Sequence, residues 1–421
     1  MKNLALFLLA LSSQPLSAQT APPKPRIESG FSVDRLTRID QALQRYVDDN
    51  RIAGAVGLVM RDGRVVYERA VGWSDKEAAR HMTPDAIFRI ASQTKAITST
   101  AILVLMEEGK LGLGDPVSRY IPQFARTTVA TRSDTGRVIA PAKRAITIRD
   151  LLTHTAGISY GTGTLVGPLY APSGLGPAAG HGWYTADKNE PICATMERLA
   201  TLPFVAQPGE AFVYGYATDV LGCVVERASG IPLDQFIRRR ITDPLGMNDT
   251  YFFLPLDKRR RLTAVYVADS TGLRRAQNGP LGQGDYVEGP RKSFAGGAGM
   301  LSTIRDYARF LQMLLNGGEL DGVRILSPKT VELMTTNQVG TLYGATGQGF
   351  SLGFGTTDRF GVDGLASVGS WAWGGAYGSM YRVDPKERLV ILFMIQQFPF
   401  GVEARDRFPT LVYQALVEPN K

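Results

Sequence analysis

Two short apolar hairpins stand at opposite ends of this 421-residue chain, and each needs a partner. The first pairs residues 55–60 with 65–71 across Asp62-Gly63, a dipeptide suited to a two-residue hairpin turn. The second pairs 379–383 with 389–396 around Asp384-Pro385. An isolated hairpin is at best marginally stable in water. If the two share one sheet, the chain leaves that sheet after about residue 90 and returns late. The expected architecture is α/β plus helical: an antiparallel sheet flanked by helices and built from both chain ends, with a mostly helical insertion. Residues 19–90 and 291–421 would form the discontinuous α/β part and 91–290 the insertion. The pattern permits this arrangement without requiring it.

Helical spacing of Leu36, Ile39, Leu43, Tyr46 and Val47 predicts a helix over 34–50. Residues 96–106 are almost all apolar, so that helix should be buried, ending near Gly109. Thr147 is a plausible N-cap for a helix to His154. Thr218 should cap a helix carrying Leu221, Val224, Val225 and Ala228, closed by Gly230. Thr303 should cap another carrying Tyr307, Phe310, Leu311, Leu314 and Leu315, closed by Gly317. Residues 156–190 are rich in Gly, Pro and aromatics and lack periodicity, which reads as a long functional loop. No internal repeat is visible.

With 44% hydrophobic and 20% charged residues, disordered and fibrous classes are excluded. The net charge of +8 has no run or patch of the kind a nucleic-acid binder shows. Residues 1–18 read as a cleavable signal peptide: Lys2, an apolar run over 4–11, then Pro15-Leu16-Ser17-Ala18, with cleavage after Ala18. That predicts a periplasmic or secreted protein. No later stretch is long enough to span a membrane; the longest apolar run, Leu389–Ile395, has strand length. Export permits a disulfide between Cys193 and Cys223, but Cys223 sits in an apolar helical pattern where it can simply be packed, so two free thiols are the favoured reading and the pairing stays open.

Ser92-Gln93-Thr94-Lys95 opens the buried helix. Spacing i, i+3 puts Ser92 and Lys95 on one helical face. A serine hydroxyl needs a base to become a nucleophile, and a helix N-terminus offers N–H groups to a developing oxyanion. A lysine at the start of an apolar helix needs a reason to be there. Gly157-Ile158-Ser159-Tyr160-Gly161 fits the G-x-S-x-G elbow, but that motif needs a strand before it and a helix after it. Here a helix end precedes it and the irregular loop follows, so Ser159 is taken as a decoy. Only His81, His154 and His181 are available, which supplies a Ser-His-Asp mechanism poorly; no metal-ligand cluster is evident. His154 reads as a hydrogen-bonded structural histidine. No cofactor and no metal are expected.

Four motifs then occur in order: Ser92-x-x-Lys95, Tyr214-Gly215-Tyr216 after Pro208-Gly209-Glu210, Gly296-Gly297-Ala298-Gly299, and Trp373-Gly374-Gly375. Together they resemble the serine β-lactamase superfamily, close to class C β-lactamases and most like family VIII carboxylesterases. The resemblance implies a β-lactamase/penicillin-binding-protein-like fold. It also implies Ser92 as the acylated nucleophile, Lys95 as its partner and Tyr214 as the proton relay. The backbone N–H groups of Ser92 and Ala376 would form the oxyanion hole. Tyr160, Tyr216, Trp373, Gly374 and Gly375 are expected to contact substrate. Class C enzymes have Tyr-x-Asn where this chain has Tyr216, and Lys-Thr-Gly where it has Trp373. Both changes remove polar groups suited to a lactam and its carboxylate, and favour an uncharged acyl or alcohol group. The expected activity is therefore ester hydrolysis on a small-molecule ester or amide. The alternatives are a β-lactamase or D-alanyl peptidase-like enzyme and a sensor that acylates and stalls. No oligomeric state is assigned.

Overall fold

The computed structural model describes residues 26–420 apart from Thr135, Thr271, Pro280, Leu281 and Phe400. The signal segment predicted at 1–18 lies outside the described residues. Eight strands form one sheet: β1 (Gly54–Arg61), β2 (Arg64–Asp75), β3 (Arg80–His81), β4 (Gln348–Phe350), β5 (Gly355–Thr357), β6 (Trp371–Gly374), β7 (Met380–Asp384) and β8 (Leu389–Ile395). The spatial order is β4-β5-β6-β7-β8-β1-β2-β3, every neighbour antiparallel. The two predicted hairpins thus share one sheet. β8 runs against β1 from Leu389 opposite Arg61 to Ile395 opposite Ala55.

β8 is apolar at every position because each of its faces meets a core. Leu389, Ile391, Phe393 and Ile395 pack with helix α1 (Val33–Asp48) and Phe408 and Val412 of the C-terminal helix. Val390, Leu392 and Met394 face the larger core, which holds helices α2 (Thr94–Glu107), α3 (Ile148–Leu152), α4 (Ile192–Leu199), α5 (Ala217–Ser229) and α6 (Ile304–Leu315). The C-terminal helix, α7, spans Glu403–Tyr413. Burying each large aliphatic or aromatic side chain is worth about 1.5–3 kcal/mol, so a strand with two buried faces anchors both layers. α2 is buried from Thr94 through Leu105, as its nearly all-apolar pattern over 96–106 predicts.

Several local expectations change. The helix predicted to start at Thr218 is N-capped by Tyr216, and Thr218 lies buried inside its first turn. Residues 156–190 are not one irregular loop: a four-residue helix, Gly167–Tyr170, is followed by single turns at Ala171–Ser173, Pro177–Ala179 and Gly182–Tyr184. The region 91–290 also contains two hairpins, Thr128–Ser133 with Gly136–Pro141 and Tyr266–Asp269 with Gly272–Arg275. Among the described residues no helix is long and apolar enough to cross a membrane.

Cys193 and Cys223 form a disulfide rather than two free thiols. Helices α4 and α5 pack side by side, bringing the two Cα atoms to 4.9 Å, and 30 residues separate them in sequence. Closing a loop of that length restricts the unfolded chain by roughly 3–4 kcal/mol. A Cys193→Ser/Cys223→Ser double variant is expected to unfold at a visibly lower denaturant midpoint, and an unchanged midpoint would count against a structural role.

Candidate active site

The site begins at a kink. Ala91 has φ +43°, a left-handed conformation costly for a residue with a side chain, and the single turn Ala91–Gln93 leads from it into α2. Ser92 therefore stands at the head of a helix, half-buried, on the wall of a cavity of about 560 Å³. One turn on, Lys95 is 1% exposed. Its ammonium donates to Ser92 Oγ at 3.4 Å, to the Tyr160 hydroxyl at 3.0 Å and to the Gly297 carbonyl at 2.7 Å. Three donors meet three acceptors, so the buried cation is fully bonded. Lys95 Nζ also lies 4.7 Å from the centre of the Tyr214 ring.

The Gly297 peptide carries a second connection. Its N–H donates to Asp219 Oδ1 at 3.2 Å while its carbonyl accepts from Lys95. Asp219 lies on α5, buried, and also accepts from Thr185 Oγ1 at 3.1 Å. Burial pushes its carboxyl up from the ordinary value, and the Lys95 charge pulls it back down. A side chain at Gly297 would put its Cβ 2.5 Å from Asp219 Oδ2, so only glycine fits this bridge. No role for Asp219 is evident from the sequence pattern; the signal is an acid on an apolar helical face.

Tyr214 is reached through a similar close approach. A Cβ on Gly215 would sit 2.2 Å from the Ile158 carbonyl oxygen, so the two backbones touch and bring Tyr160 and Tyr214 to a ring separation of 5.7 Å. The Tyr214 hydroxyl accepts from Trp373 Nε1 at 3.3 Å. Burial pushes the Tyr160 phenol well above its ordinary value, with Tyr214 and Asp219 adding to the effect, so Tyr160 meets Lys95 as a neutral hydroxyl. On the far side of Tyr214 the His154 ring lies 4.7 Å away. Burial first, then the Lys95 charge, hold His154 well below its ordinary value and therefore neutral. The expected hydrogen-bonded histidine is corrected in part: its Nδ1 is buried without a partner, and aromatic packing holds the ring.

Trp373, Gly374, Gly375 and Ala376 border the cavity opposite Ser92. A Cβ on Gly375 would come within 2.6 Å of the Ile90 carbonyl oxygen and 3.6 Å of Ala91 Cβ, so this turn rests on the kink before Ser92. Tyr160, Trp183 and Tyr184 complete one wall, Trp183 and Tyr184 at φ +39° and +70°. Strain of that kind collects at ligand-facing turns. Tyr343 is an added wall residue that no sequence pattern marked.

Tyr216, expected to contact substrate, does not border the cavity. It is fully buried, its hydroxyl accepts from the Gly176 N–H at 2.7 Å, and its ring stands behind Tyr160 and Tyr184. Helix α5 starts immediately after it, which turns the side chain inward. Of the loop aromatics, Tyr170 is likewise in the core. Ser159 is not a cavity residue; its Oγ accepts from the Gly161 N–H at 3.1 Å, closing a local turn.

A family model described as Beta-lactamase matches residues 39–415. Protein Rv1367c of Mycobacterium tuberculosis is 38% identical, over 85% of this chain and 89% of that protein. Esterase EstB of Burkholderia gladioli is 32% identical, over 87% of this chain and 92% of that protein. Among solved structures, EstCE1, described as a hydrolase with promiscuous acyltransferase activity, superposes with a TM-score of 0.74 at 28% identity, covering 91% of this chain and 99% of that one. With a family match over most of its length and esterase relatives across the same span, this chain belongs to the beta-lactamase family, as a serine hydrolase of the β-lactamase/penicillin-binding-protein-like fold.

Proposed function

We propose that this chain is an exported carboxylesterase that works through a Ser92 acyl-enzyme, with Lys95 and Tyr214 moving the proton. The observation that carries the reading is the junction at Lys95: one buried ammonium bonds Ser92 Oγ at 3.4 Å and lies 4.7 Å from the Tyr214 ring centre, behind two residues that line the cavity. Ser92 Oγ attacks the ester carbonyl. Tyr214, as a phenolate held beside the Lys95 cation, takes the serine proton and becomes a neutral hydroxyl, and that hydroxyl then gives the proton to the leaving alcohol. The N–H groups of Ser92 and Ala376 face the oxyanion. Water, activated by Tyr214, then releases the acid and restores Ser92.

Three facts support an ester over a lactam. The relatives named above include an esterase and a hydrolase with acyltransferase activity. Trp373 occupies the cavity where class C enzymes carry a lysine, and its indole N–H is bonded to Tyr214. Tyr216 is turned into the core, so its position supplies no polar group to an amide. Export rests on the N-terminal sequence and on the Cys193–Cys223 disulfide, which persists in oxidising compartments.

The test is turnover of short and long nitrophenyl esters beside a chromogenic cephalosporin. Multiple turnovers on esters are expected, with kcat/KM for the cephalosporin well below that for the best ester. A cephalosporin constant equal to the best ester would replace this reading with a β-lactamase. A single acylation without turnover would replace it with a sensor.

A further inference from the structure

The cavity does not end at the aromatic wall. β5 pairs with β6 only at Thr356–Trp371 and Gly355–Ala372, so Trp373 and Gly374 form a free edge. The cavity extends around that edge to Arg382 and Arg405. Arg405, from the first turn of α7, sits against Gly374: a Cβ there would be 3.5 Å from its Nη2. Arg382 projects from β7 opposite Ala372. Its Nε and Nη1 are buried without a hydrogen-bond partner.

Buried donors without a partner are costly, more so on a charged group. The carboxylates nearby are committed elsewhere. Asp384, two residues along β7, accepts from Tyr413 and from the Ser367 and Glu387 N–H groups. Asp363, in the same cavity, accepts from Gln348 Nε2 and Thr357 Oγ1, both at 2.7 Å. Among the described residues Arg382 has no ion pair, while Arg405 reaches the exposed Asp406 at 3.6 Å. Two guanidinium groups thus share a cavity with nothing in it that neutralises Arg382.

We infer that Arg382, backed by Arg405, forms an anion-binding arm of the active-site cavity, and that the preferred ester carries a carboxylate on its distal end. The inference rests on the ester-cleaving reading of Ser92. A guanidinium fork matches a carboxylate with two parallel bonds. β6 ends at Gly374 and the Gly375–Gly378 turn carries Ala376 beyond it, so Arg382, level with Ala372, lies down the strand from the Ala376 N–H. An ester chain that runs from the reacting carbonyl along this edge carries a distal carboxylate towards the guanidinium. The surroundings of the reacting carbon stay apolar, as Trp373 implied; the charge is recognised at the far end.

Two ester pairs test it. Mono-nitrophenyl suberate against nitrophenyl octanoate places the carboxylate on the acyl side. 4-Carboxyphenyl butyrate against phenyl butyrate places it on the alcohol side. In one pair, Arg382→Gln should lower the charged-to-neutral ratio of kcat/KM about 10- to 100-fold, the usual worth of hydrogen bonds to a charged group, and Arg382→Lys should restore part of it. An unchanged ratio in both pairs overturns the arm while leaving the esterase intact. Calorimetric titration of suberate into the Ser92→Ala protein needs no turnover. Binding that Arg382→Gln removes supports the arm even if the esterase reading fails. Equal binding in the two proteins, or none in either, overturns it.

Discussion

Ser92→Ala should reduce ester turnover by on the order of 10⁵–10⁶ and abolish covalent labelling by a fluorophosphonate, while Ser159→Ala keeps both. The two serines differ in surroundings rather than in chemistry. Ser92 borders the cavity, follows the strained Ala91 and has Lys95 bonded to its Oγ. It heads a fourteen-residue helix whose first N–H groups lack partners within the helix. Ser159 spends its oxygen on the Gly161 N–H and does not reach the cavity. Removing that turn bond costs about 1 kcal/mol of stability and no chemistry. Labelling is read by intact mass before and after fluorophosphonate, and turnover by nitrophenolate release. Labelling kept in Ser92→Ala and lost in Ser159→Ala would reverse the assignment.

Why the sequence pointed to one serine and not the other bears on how much of this molecule it encodes openly. The strand Leu389–Ile395 is legible because both its faces are buried, so burial writes an unbroken apolar run. The helix of Ser92 is legible for the same reason, and its lone lysine stands out against it. The far strands β4 and β5 are three residues each, contain glycine, and leave no periodic trace. The single turns between Gly167 and Tyr184 are too short for a 3.6-residue period to appear. Direction is harder still. Tyr214 and Tyr216 are two residues apart, yet one faces the cavity and the other the core, because the chain bends at Gly215–Tyr216 just before α5. The disulfide was hidden because spacing along the chain carries no information about α4 packing on α5. Asp219 was hidden because its partner is a peptide group from a loop 78 residues away.

Tyr214→Phe keeps the ring and removes only the hydroxyl, so it isolates the proton path. A positioned acid–base group is worth ~10²–10⁴-fold in rate, and kcat should fall by that amount. KM should move much less, because the ring still packs against Trp373 and Tyr160. The structural cost is confined to Trp373 Nε1, which loses an acceptor at 3.3 Å. Lys95→Ala should be comparably damaging, and the double variant should lose less than the product of the two losses, since the residues act as one unit. Lys95 also satisfies the Gly297 carbonyl and faces Asp219 through that peptide, so its removal leaves buried polar groups unpaired at a cost of about 1–3 kcal/mol. Its kinetics are therefore read beside a melting temperature, below the point where the variant begins to unfold. A folded Tyr214→Phe enzyme with nearly normal kcat would make Lys95 alone the base, leaving Ser92 as the nucleophile and removing the tyrosine from the proton path.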